Sequence, residues 1–260
     1  MLPHYRDIAV TVDYSDPITV DAYRLHFLPH YARMAFFALS DLNILAQIRD
    51  GLDVAFVASG PLPEIIGLVE AAAKQGINRG LIRCTTYDLN ESWLNAAHNS
   101  IAIAKQLVPG IQVELTEVVT DLRDSPPLLP RYDLVTFQNC LNEFCRHGQP
   151  TEYALLLSAT VRTDGYVAII DQTRYDGNIE TILSWRDTLT EQYGFQVVHR
   201  FEPDNEYRWD LRPRIGRSSH FTAHSVFRVA GTFLDSGART SDFLGRYYEN
   251  SDPLTMHSTI

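Results

Sequence analysis

Asp53 to Glu64 reads DVAFVASGPLPE. A continuous apolar run ends at Ser59-Gly60-Pro61, and an apolar helical pattern starts directly after it. A fully buried strand running into a glycine turn and then a helix is the unit from which open α/β sheets build a ligand crevice. The turn lies at the carboxyl end of the strand. Free N–H groups in the first turn of the helix beside it suit an anionic or carboxylate-bearing ligand.

Outward from this corner, strands and helices alternate. Val54–Ala58 reads as a strand and Pro63–Gln75 as its helix, closed by Gly76. Gly80–Tyr87 reads as the next strand, Glu91–Leu107 as a helix ending before Pro109-Gly110, and Ile111–Val119 as a strand of alternating polarity. Tyr132–Asn139 is a fourth strand. A helix over Glu152–Arg162 leads through Asp164-Gly165 into Tyr166–Asp171, and a helix over Ile179–Tyr193 precedes Phe195–His199 and Ser225–Ala230. Such alternation predicts a three-layer α/β sandwich around a seven-stranded, mostly parallel sheet. The last two strands, joined without a clear helix, predict a hairpin at one edge. Residues 1–50 read as a helical extension, 51–231 as the α/β domain and 232–260 as a polar tail. In the extension, Ser15-Asp16-Pro17 is a helix start. Pro29 interrupts the pattern, and Tyr31, Met34, Ala35, Ala38, Leu42 and Leu45 then recur at helical spacing.

At 260 residues, 45% of them apolar and 21% charged, the chain has ordinary globular composition. The net charge of −10 argues against a nucleic-acid-tracking surface. Cys84, Cys140 and Cys145 form neither a disulfide framework nor a metal-ligand spacing, so a reduced, cytoplasmic compartment is the default and no metal is expected. No apolar run is long enough to cross a membrane, and the first residues lack a long secretory apolar segment.

The order of these elements resembles the class I S-adenosylmethionine-dependent methyltransferases over about residues 50–230. Four segments carry the resemblance: VASGPLPE at the first strand–helix turn, Asp88 at the end of the second strand, Thr120-Asp121-Leu122 after the third, and FQNCLNEF, Phe137 to Phe144, after the fourth. The resemblance implies S-adenosylmethionine as cofactor, held by Ser59, Gly60, Pro61, Asp88, Leu89, Asp121, Leu122 and Asn139. Asp88 would accept hydrogen bonds from the ribose hydroxyls, Asp121 one from the adenine amine, and Gly60 would let the ligand approach the backbone. Asn142 and Glu143 would orient the acceptor, with Glu143 as a base where the acceptor arrives protonated. The implied reaction is methyl transfer to an oxygen or nitrogen of a small molecule or protein side chain. The loop departs from the pattern: its three glycine positions read Ala58, Gly60 and Leu62, and the acidic position before them is Phe56. Alanine replaces glycine there if its φ stays negative.

Each residue also has a structural reading. Asp88-Leu89-Asn90-Glu91 fits a capping box. Asp121 fits a solvated loop, Trp93 and the tyrosines 14, 23 and 31 fit a core, and Leu62 fits packing beneath the loop. His147 and His220 fit the surface. Arg208–Arg217, RWDLRPRIGR, fits a solvated loop or a lid for an anionic group or an RNA backbone. A competing reading of the whole chain is a methyltransferase-like binding module that no longer uses the cofactor. A dinucleotide-binding dehydrogenase is a third, and the incomplete GxGxxG spacing counts against it.

Overall fold

A computed structural model of the chain describes residues 14–120, 132–140, 161–172, 178–192, 195–201 and 222–229. Among them, the first element is α1, Pro17–Leu39, started by Asp16, whose Oδ1 accepts from the Ile18 N–H at 3.1 Å, with Pro17 in the first turn. Contrary to the sequence reading, Pro29 does not interrupt α1. Pro29 lacks the N–H that would bond to the Leu25 carbonyl, but Leu25 is 67% exposed, so water can take that carbonyl. On the opposite side Phe27, Leu28, Tyr31, Ala32, Met34 and Ala35 are buried and hold the helix together across the proline.

A 3-10 turn, Asn43–Arg49, leads into β1, Leu52–Val57. There follow α2 (Pro63–Lys74), β2 (Gly80–Asp88), α3 (Leu94–Leu107), β3 (Ile111–Val119), β4 (Tyr132–Gln138), β5 (Val161–Gln172), α4 (Asn178–Asp187), β6 (Phe195–Phe201) and β7 (Thr222–Val229). The expected helix over Glu91–Leu107 is divided, its first residues Glu91–Trp93 forming a 3-10 turn. The strands form one seven-stranded sheet in the order β3-β2-β1-β4-β5-β7-β6. β1 to β5 run parallel, and β7 lies antiparallel between β5 and β6. The chain is thus a doubly wound α/β fold with an antiparallel pair at one edge, as the alternation predicted. Strand order reverses between β1 and β4, and the carboxyl ends of those strands flank the ligand crevice of such sheets.

Alternation along the strands serves two cores. Val54 and Phe56 face the larger one with α1, α2 and α3, joined there by Ile82, Leu134 and Ala168. Ala55 and Val57 face the second, with Phe137, Val167, Ile169 and the α4 residue Trp185. Helices cover both faces, which gives three layers. α1 therefore belongs to the main core, and it meets α2 closely at Gly67.

One strand boundary differs from the sequence reading. Val161 and Arg162, expected at the end of a helix, begin β5. Tyr132 pairs with Val161, yet Leu134 already pairs with Tyr166, so β5 bulges where Asp164 takes φ +66° and Gly165 follows. An ion-pair network explains the early start. Arg162 reaches Asp133 Oδ1 at 2.8 Å and Asp53 Oδ2 at 2.7 Å, and Arg83 Nε reaches Asp53 Oδ1 at 2.6 Å. Burial alone would raise the Asp53 pKa, but the two guanidinium groups outweigh it and hold the carboxyl below its ordinary range. The network sits at the amino ends of β1, β2 and β4, opposite the crevice.

A Cβ at Gly67 would run into the Ala32 carbonyl oxygen, and would lie 2.6 Å from the Phe36 nitrogen and 2.7 Å from Ala35 Cβ. Gly67→Ala is expected to destabilise the fold by about 1–3 kcal/mol through overpacking against backbone. The same change in an unobstructed helix stabilises by roughly 1 kcal/mol. Urea unfolding of the variant reads the sign directly.

Candidate functional site

The turn after β1 is built from left-handed residues at alternate positions. Ala58, Gly60 and Leu62 have φ values of 49°, 51° and 59°. The alanine φ is therefore positive, not negative as the sequence reading required. The three positions at which the sequence pattern leads one to look for glycine keep a glycine-like backbone, although two carry side chains. A left-handed L-residue costs roughly 1–2 kcal/mol, so surrounding contacts must hold it. The Ala58 N–H donates to the Tyr87 carbonyl at 2.7 Å, and the Leu62 N–H to the Ser59 carbonyl at 2.9 Å. Ser100, buried on α3, donates its hydroxyl to the Pro61 carbonyl at 2.5 Å. Leu62 is fully buried and joins the main core. It packs beneath the turn and does not crowd the crevice.

Asp88 closes this construction from the end of β2. Its Oδ2 accepts the Gly60 N–H at 2.9 Å and its Oδ1 the Asn90 N–H at 3.1 Å. Burial raises its pKa, against the lowering effect of the N–H groups of Asn90, Gly60 and Leu89. The helix-capping residue is Asn90, whose side chain accepts from the Ser92 N–H at 3.0 Å. The cap thus falls two residues after Asp88, without the reciprocal glutamate of a capping box, and Asp88 acts instead as a latch on the loop.

Ser59, Gly60, Thr86, Asp88, Asn90, Trp93 and Glu117 line a recess of about 270 Å³, including space open to solvent, above the carboxyl ends of β1, β2 and β3. Gly60 faces the Trp93 ring, 3.6 Å from where its Cβ would be. Trp93 in turn packs on Tyr14 and Tyr23 at centroid distances of 5.0 and 5.3 Å. The segment leading into α1 therefore folds over the start of α3, and Ser92 donates its hydroxyl to the Tyr14 carbonyl.

Of the residues expected to bind cofactor, Ser59, Gly60 and Asp88 come together at this recess. Pro61 is buried and turned to α3, and Leu89 is 60% exposed beside Asp88. Asn139 stands across β1 at the end of β4, with φ 55°, its N–H donated to the Ile170 carbonyl at 2.8 Å. Both ends of its side-chain amide are buried without a hydrogen-bond partner. Thr120, the residue before Asp121, donates its N–H to the Asp88 carbonyl at 2.8 Å. Asp121, Leu122, Asn142, Glu143, Cys145, His147, His220 and the Arg208–Arg217 segment lie outside the described residues. Among the described residues no cluster of potential metal ligands occurs, and no helix is long and apolar enough to cross a membrane.

The sequence reading missed Glu64. It is fully buried in the first turn of α2, and neither carboxyl oxygen has a hydrogen-bond partner. Burial, opposed by Glu64's own backbone N–H and helped by the neighbouring Asp88 charge, pushes its pKa from the ordinary 4.5 up to about 8. The signal was a lone acid among residues 63–69, all of which are buried. Phe56, at the acidic position of the resemblance, is fully buried in the main core, so no carboxylate arises there.

No protein-family profile matches the chain, and no curated protein sequence matches it. Solved structures that are similar include a TehB-like SAM-dependent methyltransferase from Corynebacterium glutamicum, at 17% identity over 82% of this chain and 98% of that one, with a TM-score of 0.43. The plantazolicin methyltransferase BpumL, in complex with an analog and SAH, shares 14% identity over 84% and 93%, with a TM-score of 0.47. An rRNA methylase from Streptococcus thermophilus shares 10% identity over 76% and 95%, with a TM-score of 0.44. At these values the likenesses add nothing to the fold that the sheet order establishes.

Three stability outcomes follow from the site. Asp88→Asn replaces an acceptor by a donor opposite a backbone N–H, so it should lose about 1–3 kcal/mol in chemical unfolding. Leu62→Gly should be less damaging than Leu62→Ala, by about 1 kcal/mol, because glycine recovers the left-handed strain that alanine keeps. For Glu64, the folded state holds a proton between pH 4.5 and about 8 that the unfolded state releases. Its contribution is thus complete below the lower value and lost as pH rises through the upper one. Between those limits the wild type should lose on the order of a few kcal/mol relative to Glu64→Gln, measured by unfolding across the range.

Proposed function

We propose that the chain is an S-adenosylmethionine-dependent methyltransferase acting on an oxygen or nitrogen of a small molecule or protein side chain. The observation that carries this reading is the turn Ala58–Leu62. It keeps left-handed backbone at all three glycine positions of the sequence resemblance and is latched by the acid at the end of β2. The hydrogen-bonding groups of the site suit a nucleoside better than a bare anion. The Asp88 carboxylate accepts from the Gly60 and Asn90 N–H groups at 2.9 and 3.1 Å and keeps lone-pair capacity for a ribose hydroxyl. Gly60 presents no side chain between the recess and Trp93, and the Asn139 amide has buried polar atoms still to be satisfied.

Ser59 and Gly60 would cradle the ligand, Asp88 would fix the ribose, and Asn139 would hydrogen-bond its far end. Asp121 and Leu122 are assigned to the adenine, and Asn142 and Glu143 to acceptor orientation and proton removal, on the sequence resemblance alone. Bound, the cofactor supplies an electrophilic methyl group on its sulfonium. The protein's part is to hold the acceptor atom in line and exclude water, so orientation contributes much of the rate. The acidic balance of −10 favours a small or proteinaceous acceptor over a polyanion.

Calorimetry with S-adenosylhomocysteine tests this reading. Binding is expected, with a rise in Tm that grows with ligand concentration. Asp88→Asn should weaken it by about 1.5–3 kcal/mol, the range for a hydrogen bond to a charged group. No heat and no Tm shift at millimolar ligand would leave the chain a binding module that does not use this cofactor.

A further inference from the structure

Glu64 follows the turn after β1 by two residues, in the first turn of α2. It is fully buried, and no neighbouring residue bonds to its carboxyl oxygens. Its own backbone N–H favours the ionised form, but burial outweighs that effect. A carboxyl group in such a place folds with its proton on, because an ionised one would be desolvated without a partner. Asp88 is the opposite case. Its carboxylate accepts from the Gly60 and Asn90 N–H groups, and its charge bears on Glu64. Of two neighbouring acids, one thus carries the proton and the other holds the turn.

The turn between them is the part that can give. Further along, α2 is fixed: residues 65–69 are buried, and Gly67 is pressed against the backbone of Ala32 and Phe36. The turn itself carries left-handed strain at Ala58 and Leu62, and α2 begins without a side-chain cap at Leu62. Its closure rests on the burial of Leu62 and on hydrogen bonds from Gly60 to Asp88, from Ala58 to the Tyr87 carbonyl and from Ser100 to the Pro61 carbonyl. We propose that Glu64 is a proton-operated catch on this turn. Protonated, it lets Ala58–Leu62 lie closed on Asp88. When it gives its proton to solvent, the carboxylate reaches water only by lifting the turn. That motion breaks the Gly60–Asp88 bond and takes Ser59 and Gly60 from the wall of the recess. The recess is therefore assembled with Glu64 protonated. That its occupant is an S-adenosyl ligand rests on the function proposed above, whereas the motion does not.

The elements packed against α2 bring further titratable groups. From α1 come the buried His30 and Tyr31, the partly exposed Tyr23 and Arg24 and the exposed Asp21, His26 and Arg33; from α3 the exposed His98 and Lys105; from the 3-10 turn the exposed Arg49. β2 brings Cys84 and Asp88, and α2 itself Glu70 and Lys74. Among the described residues Asp88 is the one whose charge acts on Glu64, and it favours the proton. The closed turn holds the Glu64 pKa at about 8 against an ordinary 4.5. Opening therefore becomes easier by up to about tenfold per pH unit between those values, and no easier above the upper one.

Fluorine NMR of the protein carrying fluorotryptophan reads the catch, because Gly60 stands against the Trp93 ring while Trp185 lies in the second core. The two resonances are assigned from Trp93→Phe and Trp185→Phe. From about pH 6 to about pH 8 the wild type should show a second Trp93 signal. Its ratio to the first should grow by up to about tenfold per pH unit and then level off, with Trp185 unmoved. Glu64→Gln should keep the closed signal at every pH, and Glu64→Met replaces it should that variant fail to fold. The apparent affinity for S-adenosylhomocysteine should fall in step with the closed fraction in the wild type and not in the variant. A Trp93 signal that stays single, that responds equally in the variant, or that moves together with Trp185 overturns the catch. Affinity that ignores the closed fraction overturns the gating of the site. If S-adenosylhomocysteine does not bind at all, the S-adenosyl reading fails, and Trp93 alone decides the catch.

Discussion

The bond from the Gly60 N–H to the Asp88 carboxylate connects the two strand ends on which the site is built. β1 and β2 are already paired along their length, from Leu52 with Ile82 to Val57 with Tyr87. Beyond Val57 the ladder stops, and the turn would be free to swing were it not tied at Ala58 to the Tyr87 carbonyl and at Gly60 to Asp88. A charged acceptor buried near a backbone donor makes a stronger tie than a neutral pair. The recess, the exit of β3 at Thr120 and the start of α2 all take their positions from that tie.

The turn also shows how a side chain can stand where glycine is expected. Left-handed backbone carries a steric cost at Ala58 and Leu62, and the two residues meet it differently. Leu62 sends a fully buried side chain into the main core, where burial of a leucine contributes roughly 1.5–3 kcal/mol, more than the strain. Ala58 has only a methyl group, half-buried against the second core. The carboxyl chemistry is redistributed as well. The strand position that the family pattern makes acidic is occupied by the core residue Phe56, and a buried acid appears instead on the helix, at Glu64.

The two ends of the sheet are organised by opposite means. At the amino ends, charges are paired with one another: Asp53, Arg83, Asp133 and Arg162 bind β1, β2, β4 and β5 into a closed network. At the carboxyl ends, polar groups stay unpaired in the burial where pairing is usually demanded: Glu64, Thr136, Gln138 and Asn139.

Much of this was legible in the chain itself. The periodicity of apolar residues is local information, so it placed the strands, the helices and the doubly wound sheet, and with them the turn at Ser59-Gly60, while Asp88 came from the resemblance. It failed where distant partners decide. Arg162 belongs to a strand because Asp53 and Asp133 hold it there. Pro29 lies within a helix because the buried face of α1 outweighs one lost hydrogen bond. Asp88 is a loop latch and not a cap because Gly60 comes to it across the sheet. Glu64 reads as an ordinary first-turn acid until packing removes it from water. Sequence patterning thus determined the fold and the turn at which the candidate site lies. Only tertiary structure decided which polar groups there are bonded within the fold and which are buried without a partner, because hydrogen-bond satisfaction and desolvation depend on what the rest of the chain brings alongside.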